Sequence, residues 1–115
     1  MFNRHPSITL TSLLEPFDED ASSRMRWEFR QHVKFGRRLH VIDLDQLDSA
    51  SSYVLRSLIG AVHTVRAVGG EVRLVSNRQG MRRVLTLTGL SRVFPVHSTA
   101  IDAMIAFRET PRLAG

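Results

Sequence analysis

LHVIDLDQLDSASSYVLRSLIGAVHTVRAV, residues 39–68, holds the parts of an α/β unit in one run. Leu39 to Leu44 is a nearly all-apolar, β-branched run, the pattern of a strand covered on both faces, with Asp43 and Asp45 at its end. DSASSY is a polar break carrying Ser49, Ser51 and Ser52. In the segment after it, Leu55, Leu58, Ile59, Val62 and Val65 recur at 3.6-residue spacing and predict the core face of a helix. Tyr53, Arg56, Gly60, His63 and Ala67 fall elsewhere on the wheel and are expected to be exposed. Gly69 and Gly70 end the helix. A strand's carboxyl end meeting a helix's positive end is where ligands and modifications commonly sit in α/β domains.

Outward from this unit, the same two periodicities alternate. Ser7–Leu14 alternates polar and apolar residues as a half-buried strand does, and Glu15-Pro16 closes it. Asp18, Glu19 and Asp20 then sit where acids favour a helix start. Ala21, Met25, Phe29 and Val33 give a helix from Asp20 to about Lys34, stopped by Gly36. Glu71–Ser76 reads as a third strand. Asn77 is the expected cap of a helix from Arg78 to about Thr88, with Met81, Val84, Leu85 and Thr88 inward and Gly89 at its end. Val93–Val96, with Pro95 inside, suits a short edge strand. Ser98 can cap a last helix bearing Ile101, Met104 and Ile105, and the tail 110–115 is expected to fray. The order β-α-β-α-β-α-β-α places the chain in the α/β class: about four strands, mostly parallel or mixed, with about four helices, at least two on one face.

The 115 residues suit one domain spanning 1–115. No apolar stretch approaches the roughly 18 residues of a membrane span. The first ten residues lack a signal-peptide core, so a cytoplasmic location is expected. Without cysteine there is no disulfide and no thiolate chemistry. The net charge of +5 comes from sixteen basic residues, all arginine except Lys34, against eleven acids. They are spread along the chain rather than interleaved with aromatics, which argues against nucleic acid and suits an acidic protein surface equally well.

Catalytic machinery is not legible. There is no P-loop, dinucleotide fingerprint or nucleophile elbow, and the five histidines show no ligand spacing. The acids of 18–20 are read as helix caps. Asp43, Asp45 and Asp48 could in principle collect a magnesium ion, but nothing in their spacing completes a shell. No catalytic residue, metal or cofactor is assigned.

Three segments resemble the STAS domain, the family of bacterial anti-sigma factor antagonists. IDLDQL (42–47), followed by the serine loop and helix, is similar to the family's strand with its aspartate-leucine pair. GGEVRLVS (69–76) resembles its glycine turn and third strand. The most specific match is MRRVLTLTGLSRVFPVHSTAIDAMIAF (81–107): a basic helix, a leucine-threonine-glycine-leucine turn, a phenylalanine-bearing strand and an alanine-containing helix. The resemblance implies a STAS fold and a protein partner, an anti-sigma factor with kinase activity. It also implies a phosphoacceptor serine in the motif aspartate-serine-serine-glycine-leucine. An ungapped match sets that motif on Ser51, Ser52, Tyr53, Val54 and Leu55 and makes Ser52 the acceptor. A gapped match using Asp48-Ser49 makes it Ser49. The bland alternative is that Ser51 or Ser52 only caps the helix, worth about 1 kcal/mol.

The expected partner surface is therefore Asp48, Ser49, Ser51, Ser52, Tyr53, Arg56 and Gly60, with tyrosine and arginine as anchors. Two other roles use the same end of the sheet: a regulatory subunit bound constitutively to a transporter ATPase or stress-signalling assembly, and a nucleotide- or anion-binding module at the helix N-terminus.

Overall fold

The computed structural model describes residues 7–109. Strand β1 (Ile8–Ser12), helix α1 (Glu19–Lys34), strand β2 (Leu39–Asp43) and helix α2 (Ser52–Arg66) form the first half. Strand β3 (Glu71–Val75), helix α3 (Gln79–Leu87), the one-turn helix α4 (Leu90–Val93), strand β4 (Val96–His97) and helix α5 (Ala100–Glu109) follow. All four strands are parallel, in the order β1-β2-β3-β4, with Val41 opposite both Leu10 and Arg73.

That order explains the layering. Each crossover steps in the same direction, and a right-handed connection then keeps returning to one face. Met25 and Phe29 of α1, Val54, Leu58 and Val65 of α2 and Met81 and Leu85 of α3 all pack there, over Ile42, Leu44, Val72 and Leu74. α5 comes after the last strand and covers the other face, where Ala103 and Phe107 meet Leu39, Val41 and Val75. β2 is buried on both faces, as its nearly all-apolar run predicts, with His40 the buried polar exception.

Several expectations need correction. The core face of α2 is turned: Val54, Ser57, Leu58, Ala61, Val62 and Val65 are buried, Leu55 is half-buried, and Ile59 is 43% exposed. Ser57 Oγ lies 2.7 Å from Ser22 Oγ, a buried hydroxyl pair that draws α2 towards α1 along its small residues. Hydropathy weighs Ile59 above Ser57 and Ala61, so periodicity misses this. Asn77 is not the cap of α3. Its backbone N–H donates to Asp45 Oδ1 at 2.8 Å, and Arg78 holds the cap position without a side-chain bond. In α3 only Met81 and Leu85 are buried, while Thr88 is exposed.

The last strand is Val96–His97 rather than Val93–Val96, because Gly89 at φ 81° starts the extra one-turn helix α4. Pro95 cannot donate and contributes only its carbonyl, which accepts Leu74 N–H at 2.9 Å. Thr99, not Ser98, caps α5 by accepting Asp102 N–H at 3.1 Å, and Ser98 Oγ accepts from Arg82 Nη2 at 3.2 Å. α5 turns Ala103 and Phe107 inward and leaves Ile101 68% and Ile105 44% exposed. The acidic cluster before α1 does cap it: Asp18 Oδ1 accepts Ala21 N–H at 2.9 Å, and Glu19 and Asp20 occupy the first turn. The expected frayed tail, 110–115, lies outside the described residues.

Candidate functional site: the serine loop and the start of α2

The loop between β2 and α2 is built from the strand outward. Leu44 N–H donates to Val75 O at 2.9 Å, and Leu47 N–H to Leu44 O at 3.1 Å, with both leucine side chains fully buried. Asp43 Oδ1 accepts Asp45 N–H at 2.9 Å, and Asp45 reaches across to Asn77. Asp48 N–H donates to Glu15 Oε2 at 2.7 Å, while Glu15 Oε1 accepts Phe17 N–H at 3.2 Å. The loop is thus tied to the turn after β1 on one side and to the turn after β3 on the other. Carboxylates accepting backbone N–H groups are strong, orienting ties. Sequence reading missed Glu15, because no local signal connects it to a loop 33 residues away.

Of the aspartates considered for a metal ion, Asp43 and Asp45 each accept a backbone N–H through a carboxylate oxygen, whereas Asp48 takes part only through its own N–H. Among the described residues, no group of three or more His, Asp or Glu is placed to hold one. No histidine there is hydrogen-bonded to any of the three loop serines.

At the helix start the two adjacent serines differ. Ser51 is the N-cap, with φ −72° and ψ 167°, and its Oγ accepts Val54 N–H at 3.3 Å. Ser52 is the first helical residue and is exposed, and among the described residues its hydroxyl has no hydrogen-bond partner. Ser49 and Asp48 are exposed in the loop. Val54, at the glycine position of the family motif, is 1% exposed and belongs to the core, so its branched side chain does not project from this surface.

Arg56 is exposed and its guanidinium lies 6.0 Å from the centroid of the half-buried Tyr53 ring, at the outer limit of a cation–π contact. Gly60 departs from expectation. It is half-buried and faces α1, where a Cβ would sit 3.8 Å from Cγ and Cδ of Arg26. The outward side of α2 is instead Ser52, Arg56, Ile59 and His63. Ile59 joins the exposed surface because the helix is rotated towards α1.

The STAS domain family model matches residues 1–103. A Thermotoga neapolitana protein named as a candidate anti-sigma factor antagonist is 28% identical over 86 residues, 75% of this chain and 76% of its own. A Bordetella bronchiseptica relative named likewise, BtrV, is 31% identical over 87 residues, 76% of this chain and 75% of its own. The solved structure of the anti-sigma factor antagonist SpoIIAA in its unphosphorylated form shares the fold, with a TM-score of 0.76, 17% identity and 96% of both chains covered. With the family pattern running from the first strand into α5 and a relative 31% identical over three quarters of both chains, the chain belongs to the STAS domain family.

Proposed function

We propose that this STAS domain regulates transcription or stress signalling in the cytoplasm as an anti-sigma factor antagonist. It binds a partner anti-sigma factor with kinase activity, and the contact surface is the Asp48–Ser52 loop with the outward side of α2. The names of its relatives support the class of partner. One observation supports the switch: capping falls to Ser51, which leaves the neighbouring Ser52 hydroxyl exposed for transfer.

The electrostatics suit a reversible switch. A phosphate on Ser52 carries roughly −1.5 to −2 charges at neutral pH and lies at the positive end of α2, so it does not unfold the helix it modifies. In a closed interface the same charge must be desolvated and expels the partner. Phosphorylation therefore acts on the complex and spares the fold.

Co-purification from the native host, with mass spectrometry of the partner and of Ser49, Ser51 and Ser52, tests this reading. The expected result is an ATPase of the kinase type and phosphate on Ser52. A transporter ATPase with unmodified serines favours the constitutive subunit instead, a role consistent with Tyr53 and Val54 standing where the family motif has serine and glycine. Arg56→Glu and Tyr53→Ala are expected to abolish capture with thermal stability nearly unchanged; normal capture by both variants removes this surface.

A further inference from the structure

The excess positive charge of this chain is confined to one segment. Residues 72–101 hold Arg73, Arg78, Arg82, Arg83 and Arg92 and no aspartate or glutamate. The other eleven basic residues are matched by eleven acids, so the whole excess of +5 (sixteen minus eleven) comes from this segment. Arg73 lies on the α5 face, with its guanidinium 4.7 Å from the Phe107 ring centroid. Arg78, Arg82, Arg83 and Arg92 belong to α3, its cap and α4, on the other side of the sheet. We propose that the outer side of α3 is a second protein-docking surface, and that its occupant is an acidic partner segment carrying an aliphatic side chain.

α3 presents this surface for local reasons. Met81 and Leu85 turn inward, which leaves Gln79, Gly80, Arg83, Thr86 and Leu87 facing solvent. Arg82 and Arg83 line an open depression of about 480 Å³ with Gln79, Gly80 and Thr86. Arg82 is fixed by uncharged acceptors: its Nε donates to Ser76 O at 2.6 Å and its Nη2 to Ser98 Oγ at 3.2 Å. Among the described residues, no carboxylate is hydrogen-bonded to the side chain of Arg78, Arg82 or Arg83. The first turn of α3 has no acid and its cap makes no side-chain bond, so the positive end of the helix adds to these cations. Arg78 and Arg82 stand at i, i+4, a spacing at which like charges disfavour a helix. An acidic surface laid against them relieves that repulsion and is steered to this face by it.

An apolar residue decides between kinds of partner. Leu87 is 77% exposed, one turn beyond Arg83. The segment 72–101 has no tryptophan or tyrosine, and its one phenylalanine, Phe94, is buried. This face therefore lacks the aromatic platforms on which nucleic-acid bases stack. A leucine beside arginines suits a protein segment with an apolar side chain among carboxylates. A second copy of the chain fits poorly. Its acids Asp18, Glu19 and Asp20 lie on a different patch, at the start of α1, and contacts between unlike patches make rings or open filaments. The surface is also separate from the serine loop, which belongs to α2, and the inference does not depend on what that loop binds.

The test is an amide NMR titration of the full chain at constant ionic strength. The probe is a synthetic peptide of glutamate and leucine long enough to run along α3. Its controls are a leucine-to-serine peptide, a glutamate-to-glutamine peptide and a single-stranded DNA oligonucleotide. Saturable shifts are expected at Gly80, Arg83, Thr86 and Leu87, with weaker binding of every control. Affinity for the probe is expected to fall roughly tenfold in Arg83→Glu and in Leu87→Ser. Both side chains are exposed, so neither variant disturbs the core. The proposal is overturned by the absence of saturable shifts, by shifts centred on Ser52 to Ile59, or by unchanged affinity in Arg83→Glu. It is also overturned if the oligonucleotide binds more tightly than the probe, or if the α3 shifts follow protein concentration alone, which identifies a second copy.

Discussion

Ser51 and Ser52 are neighbours with different physical roles, and stability measurements separate them. Ser51→Ala removes the acceptor for Val54 N–H and is expected to cost about 1 kcal/mol in a urea titration. Ser52→Ala removes an exposed hydroxyl that has no hydrogen-bond partner among the described residues and is expected to stay within about 0.5 kcal/mol of the parent. Equal losses would show that the cap is shared. His40 provides a second residue-scale prediction. It is fully buried, its Nε2 faces Arg37 O at 2.9 Å and, among the described residues, its Nδ1 has no hydrogen-bond partner. A carbonyl only accepts, so Nε2 carries the proton and a second proton on Nδ1 would find no acceptor. Burial therefore lowers the pKa of His40, helped by the nearby His32 and Arg37 and opposed by the Arg37 carbonyl bond. As pH falls below the ordinary histidine value of about 6.5, the unfolded chain takes up the proton first. Stability is full above that pH and declines as pH drops towards the folded pKa. The melting temperature of the parent should fall over this range and that of His40→Leu less steeply; identical slopes would exclude His40 as a cause. His97, lowered by burial and by Arg73, adds to the same slope and remains in both proteins.

Two glycines with opposite constraints decide how the elements pack. At Gly60 a methyl group meets only the flexible stem of Arg26 at 3.8 Å. Gly60→Ala should therefore stabilise the protein by roughly 0.5–1 kcal/mol through helix propensity, with a raised melting temperature as the readout. At Gly70 a Cβ would overlap the Arg38 carbonyl and lie 2.6 Å from Val65 Cγ1. Gly70→Ala is expected to destabilise by about 1–3 kcal/mol, because the backbone at the start of β3 must move. The sequence marks both Gly69 and Gly70 as a helix stop. Only Gly69 takes the left-handed conformation, at φ 80°, while Gly70 serves the close approach of β3 to the turn before β2. Gly60 is half-buried for the same reason that Ile59 is exposed: the Ser22–Ser57 pair sets the rotation of α2, and a contact between residues 35 apart leaves no periodic trace.

At the scale of the molecule, the sheet separates α5 from α2, so damage to one face should not silence the other. Phe107→Leu thins the contact of α5 with Leu39, Val41 and Val75 and is expected to cost roughly 1 kcal/mol. Partner capture, measured at a temperature where the variant is folded, should be unchanged and should still be lost on adding Arg56→Glu. Loss of capture from Phe107→Leu alone would mean that α5 contributes to the partner surface.

Alternation of two periodicities was enough to read the class, the strand sequence and the central burial of β2, because each depends on residues within a few positions of one another. The family pattern in residues 81–107 adds the identity of the fold, and the serine loop stands where strand and helix signals meet. Rotation of α2 and α5, the choice of Thr99 over Ser98 as a cap, and the fastening of Asp48 by Glu15 are long-range or competitive outcomes. They depend on which polar group reaches a donor first once the layers have packed.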